Sequence, residues 1–86
     1  MGELSQLPNI GTVVESQLIQ VGITSLNELK KIGSKQAWLM IRTIDESACI
    51  NRLLALEGAI QGVKKNMLSA DVKEDLREFY LNNKSK

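Results

Sequence analysis

Three glycines, Gly11, Gly22 and Gly33, recur at an interval of 11 residues, each after a branched apolar residue. That interval limits what the first third of the chain can fold into. A helix confined between two such glycines has about 10 residues, below the ~12–15 at which an isolated helix is even marginal. Such helices persist only if packed on something larger. The chain must therefore supply a longer apolar element elsewhere.

The apolar spacing between the glycines is helical. Val14, Leu18 and Val21 share one face, which predicts a helix over 12–21. Leu7-Pro8-Asn9 stops any helix before it, because proline disfavours helical geometry in the preceding residue. Residues 1–6 read as a short helical turn or a frayed end. Gly22 suits a left-handed cap, with Ile23 folding back on Leu18. Ser25 and Glu28 have the spacing of a capping box and open a second helix along Leu26, Leu29 and Ile32, closed by Gly33. Ser34 is the expected cap of a third helix, running to about Thr43, after which Asp45-Glu46-Ser47 forms a polar break.

The longer element is 48–61, where only Asn51, Arg52, Glu57 and Gln61 interrupt an apolar run. A helix apolar on nearly every side belongs at the centre of a bundle. Ala55, Gly58, Ala59 and Gly62 make a ridge of small residues along it, so another element can approach closely. Gly58 in mid-helix costs about 1 kcal/mol against alanine, which that approach must offset. Lys64-Lys65-Asn66 reads as a loop. Ser69 then caps a final helix with Val72, Leu76, Phe79 and Tyr80 on one stripe, leaving 82–86 as a polar tail. The expected fold is all-α: a compact bundle of about five short helices in one domain over 1–86, with mobile ends at 1–6 and 82–86.

Bulk properties narrow the functional classes. Eleven basic and ten acidic side chains give a net charge of +1, so nucleic-acid binding would need a local patch. The single cysteine, Cys49, cannot form an intramolecular disulfide and fits a reducing compartment, pointing to a cytoplasmic protein without a membrane span. There is no histidine, so zinc has no ligand set and no metal or cofactor is expected. Cys49 lies between Ala48 and Ile50, the setting of a small buried hydrophobe rather than a nucleophile. The carboxylate pairs Asp45-Glu46 and Glu74-Asp75 fit caps and solvated faces. No catalytic residues are assigned, and no small-molecule substrate is implied.

Leu7-Pro8-Asn9-Ile10-Gly11, Val21-Gly22-Ile23-Thr24-Ser25, Glu28-Leu29, Lys31-Ile32-Gly33 and the run from Leu53 to Gly62 together resemble the TfoX C-terminal domain family, from about Leu4 to Leu81. That family includes the C-terminal half of the TfoX/Sxy regulators of natural competence. The resemblance implies an all-helical module, here without the regulators' different N-terminal domain. Near-neutral charge, the apolar helix set and the family's place appended to a regulator together point to an interaction module acting through a protein partner or self-association. Trp38 and the ridge Ala55, Gly58, Ala59 and Gly62 are then candidate partner or dimer contacts, against the alternative that they pack inside the monomer.

The first part of the chain is also similar to a helix-hairpin-helix, whose apolar-Gly-apolar-Gly loop offers backbone amides to a DNA phosphate. On that reading Asn9, Ile10, Gly11 and Thr12 make the phosphate contact, with Lys30, Lys31 and Lys35 as a basic patch. The competing reading is a turn that only joins helices, with lysines favouring helix C-termini. Asn9 stands where the first loop glycine falls, and Glu15 follows where DNA-binding versions carry Lys or Arg. A glutamate there repels phosphate.

Overall fold

Helix ends, rather than helix interiors, define this chain. The computed structural model describes residues 3–83. A 3-10 turn, Glu3–Gln6, leads into α1 (Thr12–Gln20), α2 (Leu26–Ile32), α3 (Ser34–Ile44) and α4 (Ile50–Gln61). A second 3-10 turn, Lys65–Met67, precedes α5 (Ala70–Asn83). No strand occurs among the described residues, so the all-α expectation holds.

Two helices end in the same way. The Ile23 amide donates to the Leu18 carbonyl at 2.8 Å and Gly22 donates to Ile19 at 3.0 Å. Val63 and Gly62 repeat the pattern on Gly58 and Ala59, at 2.9 and 3.2 Å. Both are Schellman closures, in which otherwise unpaired carbonyls of the last turn are satisfied. The first is clamped by Ile23 and Leu18, both fully buried.

The start of α2 departs slightly from a reciprocal capping box. Ser25 Oγ accepts from the Glu28 amide at 3.2 Å. The Glu28 carboxylate, however, accepts from the Thr24 amide and hydroxyl at 2.8 and 2.7 Å. Those bonds, led by the Thr24 amide, hold its pKa below the ordinary value.

Ser34 does not cap α3. Gly33 is the N-cap, at φ 90° and ψ 155°, a conformation that L side chains rarely adopt. Ser34 therefore takes the first helical position, and its hydroxyl donates instead to Glu57 Oε1 on α4 at 2.7 Å. Joining α2 and α3 through one residue turns the chain sharply without a loop.

α4 begins at Ile50, two residues later than its apolar run suggests. Asp45 is the reason. Its Oδ1 accepts from the Ser47 amide at 3.0 Å and from the Ser47 hydroxyl, and Ala48 donates to the Asp45 carbonyl at 3.1 Å. A turn built from side-chain bonds to the backbone competes with helix here. Asp45 Oδ2 also accepts from Gln17 at 2.8 Å and from Arg52 at 2.9 Å, while Arg52 reaches Gln17 Oε1 at 2.8 Å. One carboxylate thus ties α1, the α3–α4 loop and α4 together.

These bonds, with Ser47 foremost and Arg52 and Gln17 next, hold the Asp45 pKa far below the usual carboxylate range. A depressed folded-state pKa contributes stability above the unfolded value and loses it as pH falls. Urea unfolding should therefore show stability declining below about pH 4. Asp45→Asn should flatten that decline. An acid limb of unchanged steepness in the variant would remove Asp45 from the account.

α4 is the hub, packed against α2, α3, α5 and the Lys65–Met67 turn. Its Leu53 and Leu56 are fully buried, as are Leu29 of α2, Trp38 and Ile41 of α3 and Leu18 of α1. Leu76 of α5 is 2% exposed. Packing on this aliphatic core is what stabilises helices too short to stand alone.

Described residues near both termini pack on the body of the fold. Leu4 in the first 3-10 turn is buried, and α5 runs through Asn83, whose carbonyl accepts from Arg42 at 2.7 Å. Residues 1–2 and 84–86 of the expected mobile ends lie outside the described residues.

Candidate functional site

Two places could meet a partner: the turn before α1 and the surface between α3 and α5. The turn is built around Asn9, at φ 70° the one non-glycine residue with positive φ among those described. Asparagine tolerates this conformation where most residues do not. Its side chain ties the turn to the segment after α4: Nδ2 donates to the Val63 carbonyl and Oδ1 accepts from the Lys65 amide, each at 3.0 Å. Ile10 is buried beneath the turn. Gly11 and Thr12 are exposed, and Gly11 caps α1 with no side-chain bond. Glu15 is buried at 6% exposure, in the first turn of α1, where negative charge favours the helix dipole. The arm preceding the turn is a single 3-10 turn rather than an α-helix.

The close approach to Gly58 comes from this same bridge. A Cβ at Gly58 would collide with the Asn9 side-chain nitrogen and lie 2.7 Å from the Val63 carbonyl. At Gly58, then, the close approach is made by the Asn9 turn and the segment Val63 to Lys65.

The other nominated residues are dispersed. Lys30 and Lys31 are exposed in the last turn of α2. Lys35 is drawn across to α5, 2.8 Å from Asp75 and 5.5 Å above the Phe79 ring. That ion pair, exposed at both ends, contributes at most about 1 kcal/mol. It nevertheless neutralises one of the three lysines expected to form a basic patch. Lys64 and Lys65, exposed beside the Asn9 bridge, are the cations that chain folding brings to the turn.

Trp38 offers no surface, being 0% exposed. Phe79 and Tyr80 meet its ring edge-on at centroid distances of 6.0 and 5.7 Å, and its Nε1 donates to the Cys49 carbonyl at 3.3 Å. Arg42 stacks 5.3 Å above it. Ala55, Gly58 and Ala59 are buried too, so of the five nominated contact residues only Gly62 is exposed. Burial of the other four reflects packing within the monomer.

The surface between α3 and α5 was not legible in the sequence. It is a cleft of about 470 Å³ with Ile32, Leu39, Val72, Leu76 and Phe79 on its floor, and Lys35, Glu57 and Asp75 among its charged lining. Leu39 also lines a second depression of about 440 Å³ with Arg42, Thr43, Glu46 and Asn83. The one signal was the Val72–Leu76–Phe79 stripe, but nothing in the sequence says that α3 leaves it partly uncovered. Among the described residues no three His, Cys, Asp or Glu side chains converge on a metal-sized site, and no helix is long and apolar enough to cross a membrane.

Short helices around a central helix, with Schellman closures at Gly22 and Gly62 and an Asn9 bridge to the segment after α4, define an all-helical module. The chain belongs to the TfoX C-terminal domain family, whose sequence profile matches residues 1–80. Protein Sxy of Escherichia coli is 33% identical over 76 residues, covering 88% of this chain and 36% of that protein. The DNA transformation protein TfoX of Haemophilus influenzae is also 33% identical over 76 residues, covering 88% of this chain and 35% of its own length. The chain thus spans about a third of these relatives. Among solved structures, an uncharacterized protein from Listeria monocytogenes in a triclinic crystal form superimposes with a TM-score of 0.90. It is 47% identical, with 92% of this chain and 90% of that one covered. A protein of unknown function from the same organism, in a tetragonal form, gives 0.89 at 47% identity, covering 92% and 96%.

Proposed function

We propose that this chain is a non-enzymatic helical module of a regulatory kind that acts by protein contact in the cytoplasm. The observation that carries this reading is the state of the turn before α1. Both polar ends of Asn9 are engaged by the backbone at Val63 and Lys65, Ile10 is buried, and Lys35 is paired with Asp75. Of the groups a phosphate grip would use, the Ile10 amide donates to the Leu7 carbonyl at 3.2 Å and Lys35 is drawn to Asp75, while Gly11 and Thr12 stay exposed. The cleft between α3 and α5, with its apolar floor and charged rim, instead has the character of a protein-contact surface. Relation to Sxy and TfoX supports the regulatory class.

Light scattering on the purified chain, with pull-down from a bacterial extract, tests the reading. A specific protein partner or a defined self-association is the expected result. A strictly monomeric chain that captures nothing would count decisively against it.

A second reading, DNA binding through the turn, has one observation in its favour. Exposed Lys65 donates its amide to Asn9, two residues before exposed Gly11, and exposed Lys64 precedes it. It predicts anisotropy changes with labelled duplex DNA that weaken steeply with salt and that Lys64→Glu and Lys65→Glu reduce. Flat titrations at low salt would eliminate it.

A further inference from the structure

The cleft between α3 and α5 holds a carboxylate that the chain does not balance. Glu57 Oε1 accepts from the Ser34 hydroxyl and Oε2 from the Gln61 amide, both at 2.7 Å and both neutral donors. Neither oxygen meets a cation among the described residues. Asp75, which also lines the cleft, is already paired with Lys35, so the lining carries one net negative charge over an apolar floor. An occupant that fits would bring an apolar side chain next to a cation.

The same chain displays that combination. Met67 is 71% exposed, the most exposed large hydrophobic residue among those described, and Lys64 and Lys65 beside it are exposed as well. We propose that the cleft receives the 64–67 corner of a second copy of the chain. The flexible thioether would lie on the floor against Phe79, and a lysine would reach Glu57. Every copy carries both cleft and corner, so each contact joins unlike patches of two copies. The inference rests on the protein-contact reading and deepens it by naming the partner.

Sedimentation velocity from about 10 µM to about 1 mM tests it. The expected result is a mass that rises above that of one chain with concentration and falls back with added salt. Met67→Asp should return the chain to a single copy with its circular dichroism melt unchanged, since Met67 supports little of the fold. Glu57→Lys should do the same, and adding Lys64→Glu and Lys65→Glu to it should restore pairing. A single-chain mass at every concentration would overturn the proposal, as would pairing that Met67→Asp leaves intact. A monomer that still captures a different protein through the cleft would overturn self-pairing while sparing the protein-contact reading.

Discussion

Trp38→Ala should remove about 3–5 kcal/mol of stability, the range for emptying a large buried aromatic site. Stability for a small domain runs about 0.05–0.15 kcal/mol per residue, so this is a large fraction of the whole. The size follows from what Trp38 joins. Its ring lies between α3 and the Phe79–Tyr80 edge of α5, and its Nε1 donates to the Cys49 carbonyl just before α4. Removing it opens a void, strips two edge-on ring contacts and leaves a carbonyl without that donor. A melt followed by far-ultraviolet circular dichroism should fall by about 12 °C or more. Trp38→Phe should cost markedly less, keeping a ring but not the donor. A loss below about 1 kcal/mol for the alanine variant would mean that α5 is not held through this residue.

Gly58→Ala pits two effects against each other. Alanine favours a helix interior by about 1 kcal/mol over glycine. Against that, the new methyl collides with the Asn9 side chain and sits 2.7 Å from the Val63 carbonyl and 3.3 Å from Lys65 Cα. Two of those obstacles are backbone, which no rotamer change relieves. Overpacking of this kind costs about 1–3 kcal/mol, and displacing Asn9 forfeits two hydrogen bonds worth about 0.5–1.5 kcal/mol each. The expected sum is a net loss of about 1–5 kcal/mol. In an Asn9→Ala background the same change should cost less, because part of the collision is gone, and a double-mutant cycle reads that coupling. A stabilised Gly58→Ala variant would mean that the loops can withdraw freely.

The helices were legible because their signals are local. Ser25 and Glu28, Gly22 with Ile23 and Leu18, and Ser69 ahead of α5 all act within a few residues of one another. Ser69 Oγ accepts from the Val72 amide at 3.2 Å, as its position implies. Family membership was legible for a related reason, since motif order survives where individual motifs are weak.

What stayed hidden depends on contacts across the chain. Asn9 pairs with positions 54 and 56 residues away, so its bridge to the segment after α4 cannot be read from Leu7-Pro8-Asn9-Ile10-Gly11. Ser34 resembles a cap until Gly33 takes that role and Glu57 offers an acceptor. The α4 start was misplaced because Asp45 draws Ser47 into a turn that the apolar pattern does not reveal. The cleft could not be foreseen because it depends on where α5 comes to rest against α3.

On the protein-contact reading, the turn before α1 serves the fold and not a phosphate. An amide-resolved nuclear magnetic resonance titration with duplex DNA at low salt measures this directly. The predicted result is that the resonances of Asn9, Ile10, Gly11 and Thr12, and those of Lys30, Lys31, Lys64 and Lys65, stay in place. Saturable shifts centred on Gly11 and Lys65 that fade as salt is added would contradict it.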